Sequence, residues 1–384
     1  MPEARSPDHP PRLLYVVTED WYFLSHRLPM ARAARVAGFK VHVATNIGDG
    51  AAAIAKEGFK LHPVPFTRGR LDPIGNYRAV RALRRIHRAI QPSMVHRVAL
   101  QAVVTDAIAA IGIPTSSVNA IAGFGHTFVA DSVRTRGLRA LLSGIFRLLA
   151  ARENSIVLVQ NPDDQKTLKA LDITGLRIAL IPGSGVDTTV LQPITEPPGA
   201  IAVGFAGRLI DIKGIRTLVA AHRLLRQRGV TTDLLIAGTP DPANPSSVPQ
   251  AEVASWRAEL GITWLGYVPD IASLWAKVHI AALPSRGGEG VPLSLLEAAA
   301  CRRPLIATDV PGCREIAVPG DTGILVPVDD ATALANAIEK LANNVELRLR
   351  LGGGARRLVE ARFSSDAVGR ATVDLYRQLA DKAR

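Results

Sequence analysis

Short runs of β-branched and apolar residues alternate with longer stretches of helical periodicity along the whole chain, the pattern of parallel sheets joined by crossover helices. In the first half the runs are RLLYVV from Arg12, KVHVAT from Lys40, KLHPV from Lys60, SMVHR from Ser93, PTSSVN from Pro114, SIVLVQ from Ser155 and RIALIP from Arg177. In the second half they are AIAVGFAG from Ala200, TDLLIAG from Thr232, ITWLG from Ile262, HIAALP from His279, PLIATD from Pro304 and GILVPV from Gly323. Each half therefore supplies enough strands for a doubly wound sheet of its own. Between them LQPITEPPGA, residues 191–200, breaks both periodicities with Pro193, Pro197, Pro198 and Gly199, and reads as a linker. The expected division is 1–192, 193–363 and a final amphipathic helix over 364–384 with no strand after it.

In a doubly wound fold, ligands bind where a strand ends and the next helix begins, because unpaired N–H groups and the helix dipole favour an anion there. SRGGEG, starting at Ser285 after the HIAALP run, lets a backbone approach a ligand closely, and Pro292 suits a first helical position. Glu289 lies in that loop, placed to accept hydrogen bonds from hydroxyls. Glu297 falls about five residues into the helix, roughly 7–8 Å further along at ~1.5 Å per residue. Two carboxylates at this spacing suit hydroxyls on either side of a sugar nucleotide's diphosphate. A second phosphate-binding candidate is GFAGRLIDIKG, where a strand ends at Gly204 and Gly207 and is followed by Arg208 and Lys213. Two cations around such a turn can neutralise a diphosphate and stabilise it as a leaving group.

Composition narrows the partners. The net charge of +12 is polarised: residues 1–190 hold 24 Lys/Arg against 14 Asp/Glu, whereas the remainder holds 22 against 20. An anionic partner is expected at the first half. Aromatic residues make up 5% of the chain, too few for stacking platforms, and no RNA or DNA module is present, which argues against nucleic acid. The two cysteines, Cys301 and Cys313, lack the spacing of a metal or redox pair. There is no Asp-x-Asp triplet to hold a divalent ion against a diphosphate, no P-loop, and no Gly-x-Gly-x-x-Gly after the first strand, so no metal and no dinucleotide are expected. The start of the chain reads as polar and proline-rich, without a signal peptide. Apolar runs fall short of the ~20 residues of a spanning helix.

The ordered set GRLIDIKG, WLGYVPD, SRGGEGVPLSLLEAAACRRPLIATDVPGCREI and GDTGILVPVDD resembles the donor half of retaining glycosyltransferases of family four. VVTEDWYFLSHRLPMARAARVAGFKVHVAT, VQNPDDQ and IPGSGVD are similar to the capsular-polysaccharide branch, whose members extend lipid-linked sugars. The resemblance covers essentially the whole chain. It implies an α/β protein of GT-B fold, two doubly wound Rossmann-like domains facing across a cleft, with the last helix crossing back to the first domain. It further implies that Glu289 meets the donor sugar, Glu297 the ribose, and Arg208 with Lys213 the diphosphate, with Gly207 beside them. Gly290, Val291, Pro292 and Leu293 would line the sugar and phosphate, Tyr267 and Val268 the base, and Gly183, Ser184 and Gly185 the acceptor side of the cleft. In VNAIAGFGHTF many relatives carry a histidine where this chain has Ala122, and His126 is the candidate substitute. The nucleotide sugar, expected to be a UDP-sugar, is a co-substrate, so no cofactor is expected. A UDP-sugar 2-epimerase of the same fold and a non-enzymatic nucleotide-sugar-binding protein are the alternatives.

EDWYFLSHR follows the first strand, and Glu19, Asp20 and His26 are its candidates for binding an acceptor sugar or taking its hydroxyl proton. Trp21, Tyr22 and Phe23 are expected mainly in the core. Further on, Arg78, Arg81, Arg85 and Arg88 recur at spacings of three and four, giving one basic helix face. RTRGLRALLSGIFRLLAAR, residues 134–152, repeats the idea with more leucine. Both suit an anionic bilayer. The expected location is cytoplasmic, peripheral on the inner face of the membrane, with a polyprenyl-diphosphate-linked saccharide as acceptor.

Overall fold

A computed structural model describes residues 10–67, 72–121, 133–152 and 154–381, with side chains from 142 onward in the third segment. The described chain forms two compact units. One runs to Ile181 and regains the chain from Val368 onward; the other spans Pro182–Ala367.

The first unit is built on β1 (Arg12–Glu19), β2 (Lys40–Asn46), β3 (Lys60–Pro63), β4 (Met94–Val98), β5 (Ser116–Ala120), β6 (Ser155–Val159) and β7 (Ile178–Leu180), in the order β3-β2-β1-β4-β5-β6-β7. Every ladder is parallel. Helices cover both faces, so β4, β5 and β6 are buried at every position. The period of two is visible in β1: Leu13, Tyr15 and Val17 join one apolar cluster, whereas Leu14 and Val16 join the other. The final helix, Ser365–Asp381, returns to this unit through Val368, Leu375 and Leu379, which enter the Leu13–Tyr15 cluster. Its Tyr376 hydroxyl lies 2.8 Å from that of Tyr15 and 2.5 Å from His96 Nδ1, so a buried polar bridge fixes how it sits.

The second unit is built on β8 (Ala202–Ala206), β9 (Asp233–Ala237), β10 (Ile262–Gly266), β11 (Ile280–Leu283), β12 (Leu305–Thr308) and β13 (Gly323–Val326), in the order β10-β9-β8-β11-β12-β13, again all parallel. All of the strand runs read from the sequence form strands. The unit begins at Pro182, ahead of the proline-rich segment. Val186 and Leu191 already belong to the second core, and the Val186 N–H donates to the Phe363 carbonyl at 2.9 Å. The prolines themselves lie against the second unit, where Arg303 donates to the Thr195 carbonyl and Arg348 pairs with Glu196.

Beneath the helices of the first unit runs a buried ionic chain. Arg97 on β4 donates from Nε to Asp106 Oδ2 at 2.7 Å and from Nη1 to Asn119 at 3.0 Å. His87 approaches Asp106 Oδ1 at 2.7 Å, and because a carboxylate can only accept, its Nε2 carries the proton. Burial alone would raise the pKa of Asp106, but Arg97 and His87 together hold it below the usual carboxylate value. Arg97, His87 and Asp106 are all fully buried. Removing the anion leaves a guanidinium in an apolar interior, and breaking such a pair costs about 3–5 kcal/mol. Asp106→Ala is therefore expected to lower the urea midpoint by that order of stability; a loss under about 1 kcal/mol would show that the chain contributes little to folding.

Candidate active site

The strand order of the second unit reverses between β8 and β11: β9 and β10 lie beyond β8, and β12 and β13 beyond β11. Loops leaving the carboxyl ends of two such strands diverge and open a crevice between them. The loop after β8, residues 207–214, carries Arg208 and Lys213. The loop after β11, residues 284–292, carries Glu289. The topology thus brings together the two segments singled out in the sequence.

Their joining is specific. The Ile212 carbonyl accepts from the Arg286 N–H at 2.8 Å and lies 3.0 Å from the Ser285 hydroxyl. Gly214 adopts φ +69° beside the Pro284 carbonyl, where a Cβ would collide with the oxygen, so only glycine lets the loops approach so closely. Gly312, at φ +82°, plays the same part under the Gly290 carbonyl. Across the seam Lys213 Nζ donates to both oxygens of Glu289, at 2.7 and 2.9 Å, with the two side chains 18% and 11% exposed. Ser285, fully buried, approaches Glu289 Oε1 at 2.9 Å. Arg208 pairs with Asp241 at 2.7 Å and is 42% exposed.

Beyond the loop, Pro292 is the cap residue, with φ −65° and ψ 121°, and the helix itself is Leu293–Ala300. Proline thus sits one position ahead of the first helical residue, in extended geometry, and not at that residue as expected. Val291 is buried, and Leu293 opens the helix. A Cβ on Gly183 would lie 3.3 Å from Leu296 and 3.6 Å from Val291, so the segment with Gly183, Ser184 and Gly185 borders this helix and belongs to the second unit. Tyr267, 76% exposed, and half-buried Val268 follow β10 on the same carboxyl side of the sheet.

Two family models match the chain: one described as glycosyl transferase 4-like over residues 12–161, the other as glycosyl transferases group 1 over 200–344. The chain belongs to the group 1, family-4-like glycosyltransferases. The second match contains every charged residue of the seam just described. This glycosyltransferase is 29% identical over 174 residues to the capsular polysaccharide biosynthesis glycosyltransferase CapM of Staphylococcus aureus, an alignment covering 45% of each chain. It is 25% identical over 383 residues to the putative glycosyltransferase EpsD of Bacillus subtilis, covering 96% of this chain and 97% of that one. Anabaena Alr3699/HepE, solved in complex with UDP-glucose, matches 96% of this chain and 99% of its own with a TM-score of 0.77 at 16% identity. That likeness shows the fold, which is GT-B.

The two glutamates of the glycosyltransferase stand in opposite situations. Glu289 has three donors around it. Glu297 is half-buried, no hydrogen bond is recorded for its carboxylate among the described residues, and burial pushes its pKa up to about 8. Both cysteines are buried, and burial raises their thiols, Cys301 to about 11, so neither is a thiolate at neutral pH. Among the described residues no group of three or more His, Cys, Asp or Glu side chains is gathered as metal ligands would be.

On the first unit the candidates separate. Asp20 is corrected to a fold-holding residue: it is 3% exposed, and its carboxylate accepts from the backbone of Gly48 at 2.7 Å, Gly50 at 2.9 Å and Trp21 at 2.7 Å. Buried and holding three backbone N–H groups, it is not open to a sugar. Glu19 and His26 are half-buried, and His26 stacks on Tyr22 with ring centres 4.2 Å apart. Phe23 is in the core, whereas Trp21 is exposed. His126 and the Ala122–Gly123 pair lie outside the described residues. Ser285, Asp241, Gly214 and Gly312 were not singled out in the sequence; of these only Gly214, closing a strand-to-helix turn, carried a local signal.

Because the folded-state pKa of Glu297 lies above its ordinary value of 4.5, the folded glycosyltransferase holds a proton that the unfolded chain has released between those pH values. Stability should therefore fall as pH rises from about 4.5 to about 8 and level off above. In ligand-free protein, Glu297→Gln should make that fall shallower; an unchanged slope in urea titrations across this window would place the carboxyl in water.

Proposed function

We propose that the protein is a retaining glycosyltransferase that moves a sugar from a UDP-sugar to a hydroxyl of a lipid-diphosphate-linked saccharide, in the assembly of a surface polysaccharide. The observation that carries the reading is the seam of Lys213, Glu289 and Ser285 at the switch point of the second sheet, with Arg208 on the same loop as Lys213. The presence of UDP-glucose in HepE and the polysaccharide role in CapM's name support the donor and the product class.

In this reading the bond between the anomeric carbon and the β-phosphate oxygen breaks as the acceptor oxygen attacks from the same face, and the phosphate oxygen leaves with the diphosphate. The departing phosphate takes the acceptor's proton. Arg208 and Lys213 neutralise the charge that accumulates on the diphosphate, which is how an electrostatic site lowers a barrier without a metal. Glu289 accepts hydrogen bonds from sugar hydroxyls, matching an acceptor-only group with donors, and Glu297 meets the ribose hydroxyls, whose hydrogen bonds favour its charged form. Gly290 and Val291 offer backbone N–H groups at the helix start.

The acceptor would be lipid-bound, and the first unit supplies a surface for that. Arg78, Arg81, Arg85 and Arg88 are all exposed on the helix Pro73–Ile90, and their surplus of positive charge suits an anionic leaflet. Among the described residues no helix is long and apolar enough to cross a membrane, so attachment in this reading is peripheral, on the cytoplasmic face.

Incubation with UDP-sugars and lipid-linked acceptors should give acceptor-dependent UDP release that persists in a chelator. Arg208→Ala and Lys213→Ala should each lower turnover by about 10²–10³ while leaving the folded state intact. Interconversion of free nucleotide sugars without acceptor would instead indicate a 2-epimerase, and near-normal turnover in both variants would move the diphosphate elsewhere.

A sedimentation assay tests the membrane surface. The wild type should pellet with anionic vesicles at low salt, less so as salt rises, since each basic residue near such a surface contributes about 1 kcal/mol and is screened beyond a Debye length. Replacing Arg78, Arg81, Arg85 and Arg88 with glutamine should abolish most of the pelleting. Unchanged pelleting would reduce those arginines to a solvated face.

A further inference from the structure

Without ligand, the cation expected to meet the diphosphate and the carboxylate expected to meet the sugar are bonded to each other. Lys213 gives two of its three donors to the two oxygens of Glu289, at 2.7 and 2.9 Å. Both side chains are largely buried, so solvent screens the pair only in part. We infer that this pair is a latch that makes the site select a nucleotide joined to a sugar over the free nucleotide, an inference that rests on the proposed donor site.

The argument is one of charge balance. A diphosphate that draws Lys213 away leaves the Glu289 carboxylate without its cation and close to a new anion. Free UDP offers nothing in exchange, and binding it leaves a partly buried charge unpaired, a costly state. A UDP-sugar brings hydroxyl donors on the same molecule. They replace the ammonium at Glu289 as the phosphates replace the carboxylate at Lys213, so each half of the pair is satisfied again. The latch is exchanged rather than broken.

Ser285 keeps the exchange ordered. Its single hydroxyl proton has three acceptors in reach, the Glu289 Oε1 at 2.9 Å, the Ile212 carbonyl at 3.0 Å and the Gly287 carbonyl at 3.4 Å. The shortest of these holds the carboxylate in its place when Lys213 turns to the phosphates. The loop backbone on either side is fixed by the Arg286 N–H to Ile212 bond and by the Gly290 carbonyl against Gly312, so Glu289 does not follow the lysine. The device also serves the product side. Once the sugar has left, UDP faces a carboxylate competing for Lys213, and release is favoured.

Calorimetric binding of UDP and of a UDP-sugar, without acceptor, to the full-length protein tests the latch. In the wild type the UDP-sugar should bind more tightly than UDP. Glu289→Gln keeps the shape and removes the charge. UDP should then bind more tightly than to the wild type, on the order of fivefold, the size of a partly buried ion pair. The UDP-sugar should gain less or lose, so its preference over UDP narrows. Inorganic pyrophosphate, tested as a competitor, should gain in the same direction as UDP. If Glu289→Gln leaves UDP affinity unchanged or weakens it, the latch is refuted. Lys213→Ala separates that result from failure of the donor site itself. It should weaken UDP, UDP-sugar and pyrophosphate alike, and if it weakens none of them, the diphosphate lies elsewhere and the underlying reading falls with it.

Discussion

The Ile212 carbonyl oxygen takes the Arg286 N–H and faces the Ser285 hydroxyl, and on that junction the rest of the site depends. It ties the end of β8 to the end of β11 where the order of the sheet reverses. Without it, a lysine on one loop and a glutamate on the other would be two surface charges of little worth. With it, they meet at hydrogen-bond distance in a partly buried seam. Gly214 and Gly312 are the steric condition for the junction, since a side chain at either position would push a loop off its neighbour's carbonyl. The chemistry is carried by few residues, but their positions are set by backbone contacts.

The two units use charge in different ways. In the second, ionic groups lie at the strand ends and are balanced locally: Arg208 by Asp241, Lys213 by Glu289, Arg286 by Asp329. In the first, the buried charges Arg97 and Asp106 are spent on the fold, and the surplus positive charge of that half includes four exposed arginines on one helix face. The overall charge of the chain describes neither. Its distribution separates a broad, exposed basic face in the first half from cations paired at close range in the second.

How far the sequence was legible follows from what each signal encodes. Central strands buried on both faces are continuous apolar runs, and the runs from RLLYVV to GILVPV alternate with helices, so two doubly wound parallel sheets could be read directly, whereas GT-B was implied only by the resemblance. Arg208, Lys213 and Glu289 were visible because charged residues after such runs are conspicuous. Asp20 was misread for the same reason: a carboxylate after a strand looks available, yet it is consumed by the N–H groups of Gly48 and Gly50, some thirty residues away, and no local pattern reveals that. Ser285 and Asp241 escaped because a serine or an aspartate in a loop is ordinary until its partner is known. The change of unit escaped too, since prolines mark a break in periodicity and not the point where Val186 starts to pack on a new core.

Glu289 and Glu297 lie eight positions apart, and the fold treats them as opposites. Glu289 is surrounded by donors before any ligand arrives, so its cost of burial is already met. Glu297 has none among the described residues, and burial holds it protonated near neutrality, a conflict with packing that a glutamine or leucine would avoid. Proteins retain such local inconsistencies where a ligand resolves them. A hydroxyl pair brought to Glu297 would favour its charged form and lower its pKa, whereas at Glu289 the same hydroxyls must first displace an ammonium. In the proposed donor site Glu297 asks a ligand only to bring hydroxyls, whereas Glu289 asks that it bring a phosphate for Lys213 as well. On that reading, selectivity for a molecule carrying both groups would arise from the difference between the two sites, with neither needing to bind tightly alone.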